Sequence, residues 1–285
     1  MSLPVRRPGR RAQARGPVRA SADRVAAART LGLAGIILSV ALCLLLTAGG
    51  AFAVGPAGLD IEGARYTSRT AIEAALGLGA GRAARLDLVT LRAGPAEQRL
   101  RALPAVDAAA PEAAQVRVVL PDRLVVAITE RHPILAWEVG SHRFLADDEG
   151  LLFAELGDAG GPDLPTVQDE QTTDAGLAVG RRLDPVAFAA VRKLAAVGPA
   201  LIGSRASSLR LALTDDAGFT LGPPNGWEAI FGLYTTTIRP PSTVDRQVQC
   251  LTSLLAAVGE AKLDTIYLSP TADACGTYTL AGKGS

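Results

Sequence analysis

Side chains able to carry chemistry are few in this chain of 285 residues. His132 and His142 are the only imidazoles, so a proton shuttle near neutral pH has two places to sit. His132 stands just before Pro133 and reads as a strand-end residue, not a catalyst. A nucleophilic serine would need a Gly-x-Ser-x-Gly elbow and a phosphate cradle would need a glycine loop opening a helix; neither pattern occurs. No set of His, Cys and carboxylates has metal-ligand spacing. The run Asp147-Asp148-Glu149-Gly150 is acidic, but Leu151 and Leu152 follow where a calcium loop would need more oxygen ligands, so it reads as a turn. Two carboxylates of a hydrolase can lie far apart in a chain, which leaves an extracytoplasmic carboxylate-dependent hydrolase as the one enzyme alternative. Cys43 sits in an apolar run, whereas Cys250 and Cys275 admit two readings, a disulfide in an oxidising compartment or two buried thiols. The expectation is no catalytic residue, no cofactor and no metal, in a chain that works by binding other proteins.

The elements that must position any binding surface begin with a membrane anchor. The net charge of +1 hides an asymmetry, because residues 1–30 hold eight arginines and one aspartate, leaving 21 basic against 27 acidic side chains beyond. An acidic body argues against nucleic acid as partner. From Leu31 to Val54 run 24 residues without a charge, long enough at about 1.5 Å per residue to cross a bilayer core of about 30 Å. Arg6, Arg7, Arg10, Arg11, Arg15, Arg19, Arg24 and Arg29 crowd its N-terminal side, which predicts an N-terminus in the cytoplasm and the bulk outside. Ala51-Phe52-Ala53 has the small-x-small form of a signal-peptidase site, but the charged lead and the apolar run both exceed signal-peptide lengths. Residues 1–30, rich in Arg, Ala, Pro and Gly, lack the apolar content to offset the entropy of ordering and read as a disordered tail.

Beyond Gly55-Pro56 the pattern is α+β. A strand near Leu59-Asp60-Ile61 precedes a helix with Thr67, Ser68 and Thr70 as candidate caps, Thr70 and Glu73 having capping-box spacing. A second helix starts near Pro95 and ends at Pro104, and Gln115–Leu120 and Leu124–Thr129 read as strands split by Pro121-Asp122. That order, β-α-α-β-β over residues 55–133, suits two helices on a three-stranded sheet. From 134 to 270 short apolar runs alternate with turns, as in a mainly antiparallel sheet with flanking helices. Strands are expected at Ile134–Val139, His142–Ala146, Leu151–Phe153, Ser208–Leu213, Gly218–Leu221 and Thr265–Ser269. Helices are expected near Pro185–Ala196 and Val244–Val258, and residues 271–285 read as a loose tail. Trp137 and Trp227 read as packing residues.

The segment Val116–Val126, with Leu120-Pro121-Asp122 at its centre, followed by Glu130-Arg131-His132-Pro133 and Ile134–Trp137, resembles the signature of the FtsQ/DivIB family of bacterial cell-division proteins. Ile61-x-Gly63, Leu103-Pro104-x-Val106, Asp147–Phe153, Phe219–Gly222 and Ile266–Pro270 fall in that family's order, behind one anchor of the same topology. Ala105, the Ala-rich stretch Asp107–Ala114, Arg239-Pro240-Pro241, Tyr267 and Ser269 depart from its pattern. The resemblance implies a POTRA domain over 55–133 and an FtsQ-type β domain over 134–270. It also implies a non-enzymatic scaffold at the division septum that binds FtsB/FtsL-like proteins and other division proteins, with no nucleic acid and no small-molecule substrate. A partner strand is expected at the last strand, on Ile266, Tyr267, Leu268 and Ser269, with Tyr267 the side chain that faces outward. Glu130 and Arg131 are expected at the junction of the two domains. The alternative within the same physics is a membrane-anchored POTRA-type secretion or assembly factor.

Overall fold

A computed structural model of the chain describes residues 35–45, 52–78, 85–157, 161–172, 176–271 and 274–282. The arginine-rich residues 1–30 lie outside that set, as do 31–34 and 46–51 of the apolar run. Residues 35–45 are helical (α1) with exposed side chains. Among the described residues no helix is long and apolar enough to cross a membrane. The apolar run does not stay helical to its end. Ala53–Val54 form a short strand, β1, antiparallel to β3 (Leu86–Asp87), and Val54 is fully buried in the core that follows. Val54 therefore belongs to the packed body and not to a spanning helix.

The fold is mixed α+β, with a large, mostly antiparallel sheet and few helices. Its first part is a three-stranded sheet in the order β2-β5-β4, from Leu59–Glu62, Arg123–Ile128 and Ala114–Val119. β5 runs parallel to β2 and antiparallel to β4. Helices α2 (Arg69–Leu76) and α3 (Ala93–Arg101) bring Ile72, Leu76, Ala96 and Leu100 onto Leu124, Val126 and Val116. Each such large side chain contributes roughly 1.5–3 kcal/mol by leaving water. The start of α2 differs from the capping-box expectation: Ser68 is the N-cap, accepting from the Ala71 amide, and Glu73 pairs with Arg69 one turn back instead of reaching Thr70. Gly63 adopts φ +80°, and a Cβ there would stand 2.1 Å from the Ile128 carbonyl, so the turn out of β2 excludes any side chain.

The second part is a nine-stranded sheet in the order β14-β13-β12-β11-β10-β9-β6-β7-β8. Its strands are β6 (Leu135–Val139), β7 (His142–Ala146), β8 (Leu152–Leu156), β9 (Thr166–Asp169), β10 (Arg210–Thr214), β11 (Gly218–Gly222), β12 (Glu228–Gly232), β13 (Leu263–Leu268) and β14 (Gly276–Leu280). The pairs β6/β9, β9/β10 and β12/β13 are parallel and the others antiparallel. α4 (Pro185–Leu194) and α5 (Val244–Val258) pack on this sheet through Phe188, Val191, Leu194, Leu251 and Leu255 in one core. Asp184 caps α4 by accepting from the Val186 and Ala187 amides.

At the end of the chain the expectations of a loose tail and of an edge at the strand Thr265–Ser269 are corrected, and the open choice for Cys250 and Cys275 is resolved. The stretch read as a loose tail contains a strand, β14, and β13 is consequently an interior strand with neighbours on both sides. Cys250 and Cys275 form a disulfide that ties α5 to the residue preceding β14.

Candidate functional site

Two places gather the residues singled out from the sequence. At the first, Glu130 turns its carboxylate onto three successive backbone amides. Oε2 accepts from Arg65 and Tyr66 at 2.8 Å each, and Oε1 accepts from Thr67 at 2.6 Å. Those amides precede α2, so the carboxylate fixes the loop that carries Tyr66. The Tyr66 ring meets Phe153 of β8 edge-on, with centroids 5.6 Å apart. Ala105, Leu145 and Ala154 complete this small apolar cluster between the three-stranded and nine-stranded sheets. β7 serves both sides: Phe144 and Ala146 point into the large core and Leu145 into the cluster, as strand alternation requires.

Arg131, the next residue, acts in the same contact. Its Nε donates to the Pro104 carbonyl at 3.1 Å and its Nη1 reaches Asp147 Oδ2 at 2.6 Å, in the turn between β7 and β8. The other oxygen of Asp147 accepts from the Glu149 and Leu151 amides. The acidic turn is thus held by its own backbone and by an arginine.

The second place is the β14 end of the large sheet. Ile266 and Leu268 are buried, and of the four residues assigned to partner capture Tyr267 is the most open, at 49% exposure. Their main chain is already used. Tyr267 lies between Ile230 of β12 and Thr277 of β14, and the Ser269 amide donates to the Cys275 carbonyl. Strand addition directly onto Ile266–Ser269 is therefore blocked by the chain itself, because β14 fills that position. Among the described residues, the edge at this end of the sheet belongs to β14.

The register shows which groups that edge presents. In an antiparallel ladder, hydrogen-bonded pairs alternate with non-hydrogen-bonded ones. Cys275 and Thr277 face β13, and Ala281, farther on, donates to the Lys262 carbonyl. Gly276, Tyr278 and Leu280 consequently turn their N–H and C=O groups outward. Tyr278 is 43% and Leu280 60% exposed. Gly276 has φ +130°, and a Cβ there would stand 2.0 Å from the Tyr267 carbonyl, so this position also excludes a side chain. The strand Gly-Thr-Tyr-Thr-Leu carries no charge and no proline, the usual devices that keep an edge from pairing. At the opposite end of the sheet, the first residue of β8 is paired on its outer side: the Leu152 amide donates to the Arg181 carbonyl and the Gly180 amide to the Leu152 carbonyl.

The remaining candidates sit apart from both places. His132 is exposed, and His142 Nδ1 lies 2.6 Å from Glu155 Oε1 at the surface. Trp137 and Trp227 are buried, donating to Asp169 and Glu260. Among the described residues no group of three or more His, Cys, Asp or Glu could hold a metal. Tyr278 and Leu280 were missed in the sequence, although the alternation of Thr277 and Thr279 with them is a two-residue period of strand-forming residues. The chain matches no known family description and no curated protein.

Proposed function

We propose that this chain is a non-enzymatic scaffold of the bacterial division complex. In this reading it is anchored by the apolar run at Leu31–Val54, with residues 1–30 in the cytoplasm and the α+β body outside at the septum. The body comprises a POTRA domain and an FtsQ-type β domain. Its work is to hold an FtsB/FtsL-like partner by strand addition at the end of the large sheet. The observation that carries this is the uncharged edge of β14, unpaired among the described residues, where main-chain groups are available to a second chain. The Cys250–Cys275 disulfide supports an oxidising compartment for the body. The resemblance of Val116–Val126 and Glu130–Trp137 to the division family supplies the partner class.

The test is depletion of the protein in its native bacterium, with a fluorescent fusion at the N-terminus followed in the same cells. Midcell signal and filamentation on depletion are expected. Diffuse membrane signal with normal division would overturn the proposal.

A further inference from the structure

We infer that the three-stranded body lies against the bilayer surface and enters it through two turns at the end where the chain arrives: Leu88–Leu91, carrying Val89, and Val119–Asp122, carrying Leu120. The inference rests on the apolar run being an anchor, as proposed above.

The geometry at the entry strand sets the contact. β1 begins inside the apolar run, and Val54 is already buried in the core, so the body starts with no spacer behind the anchor. β3 runs antiparallel to β1 and takes the chain back along it. The Leu88 amide donates to the Phe52 carbonyl at 2.8 Å, and Val89 follows at the level of the anchor's last residues. The β4–β5 turn reaches the same end. A Cβ at Gly58 would stand 2.4 Å from the Asp122 carbonyl oxygen and 2.7 Å from Val54 Cγ2, so that turn packs closely on the entry segment.

The side chains agree with this placement. Among the described residues of 55–133, the exposed large apolar side chains are Val89 (58%), Val119 (39%) and Leu120 (61%), and all of them lie on these two turns. Exposed apolar residues scattered singly need no explanation, whereas a group gathered round the point where a chain leaves a membrane does. Their apolar area leaves water by entering the acyl region. The tether makes a weak contact sufficient, because attachment so close by holds the turns at high effective concentration beside the lipid. Exposed charges at this end are mixed, Arg85 and Arg123 with Asp60, Asp87 and Asp122, so they select no anionic surface. The apolar side chains carry the contact, and a zwitterionic bilayer should suffice.

The test places a tryptophan at each turn of the full chain, reconstituted in vesicles of phosphatidylcholine brominated on its acyl chains, where bromine quenches indole emission on contact. Val89→Trp and Leu120→Trp should each be quenched above the background of the unaltered protein, whose Trp137 and Trp227 are buried. Ala108→Trp is the control: Ala108 is exposed, and the neighbouring Asp107 amide donates to the Thr129 carbonyl beyond the far end of β5. It should not be quenched. Adding Val89→Asp to Leu120→Trp separates seating of the body from the affinity of a tryptophan for lipid. A charge at one turn should lift the body and abolish quenching at the other. Quenching at both turns no greater than that of Ala108→Trp would overturn the inference while leaving the anchor and the division reading in place. So would quenching of Leu120→Trp that survives Val89→Asp. A chain that does not float with the vesicles removes the anchor and the inference with it. The expected quenching in a protein that does not gather at midcell supports the inference and removes the division role alone.

Discussion

Arg131 and Asp147 meet away from solvent, with side chains 19% and 2% exposed and 2.6 Å between Nη1 and Oδ2. The pair bridges the two sheets, because the same guanidinium also holds the Pro104 carbonyl.

Replacing Arg131 by methionine keeps much of the packing but leaves the Asp147 carboxylate buried without its cation. Breaking a buried pair from one side costs about 3–5 kcal/mol. Urea unfolding of Arg131→Met should show a loss in that range, and a surface substitution such as Arg123→Met, whose partner Asp60 is exposed, should show almost none.

The disulfide should matter most at β14. Cys250 and Cys275 stand 25 residues apart in sequence, and their bond holds the root of a strand whose own side chains are almost all exposed. Cys250→Ser/Cys275→Ser should lose about 2–4 kcal/mol. Hydrogen exchange locates the change. The amides of Thr277 and Ala281, which face β13, should lose protection while those of β10 and β11 keep theirs.

Glu260 gives the acid limb a specific contributor. Burial pushes its carboxyl upward, but hydrogen bonds from the Arg205 amide, Ser204 Oγ and Trp227 Nε1, with the Arg205 charge, outweigh that and hold it below its ordinary value. A carboxyl depressed in the folded state contributes stability above its unfolded pKa, about 4.3, and loses it as pH falls through the lower folded value. Glu260→Gln should therefore be less stable than the unaltered protein at pH 7, and the gap should narrow below about pH 4. Urea midpoints taken from pH 7 to pH 3 give this comparison; a constant gap would remove the carboxylate from the acid limb.

Much of the fold could be read from local pattern where the pattern was strong. Val244–Val258 has an apolar stripe at helical spacing and is helical over that span. The β4–β5 hairpin lies within a residue of its expected limits, because segments rich in Val, Leu and Ile flank the Pro121-Asp122 turn on both sides. Thr166–Asp169 was not read as a strand. It is four residues long and paired on both sides with parallel neighbours, so its order comes from β6 and β10 and not from its own alternation. Glu228–Gly232 was passed over similarly beside its glycine and proline neighbours. Arg239, which reads as an interruption, is 9% exposed and lies over the Tyr234 ring, a tertiary contact without a local signature. For the candidate edge, the sequence pointed to β13, one strand inside the end of the sheet that β14 occupies. What it could not supply was the pairing of Tyr267 with Thr277, which depends on a return through the disulfide-tied turn.

The adjacency of Glu130 and Arg131 has a mechanical side. Glu130 grips the loop that seats Tyr66, and Arg131 grips both Pro104 and Asp147, so the crossing from one sheet to the other is fastened at consecutive residues. A pull on the three-stranded body would find no slack spacer to stretch at this crossing. The load would pass straight into β6 and the turn at Asp147, and the two bodies would lean together as a strut.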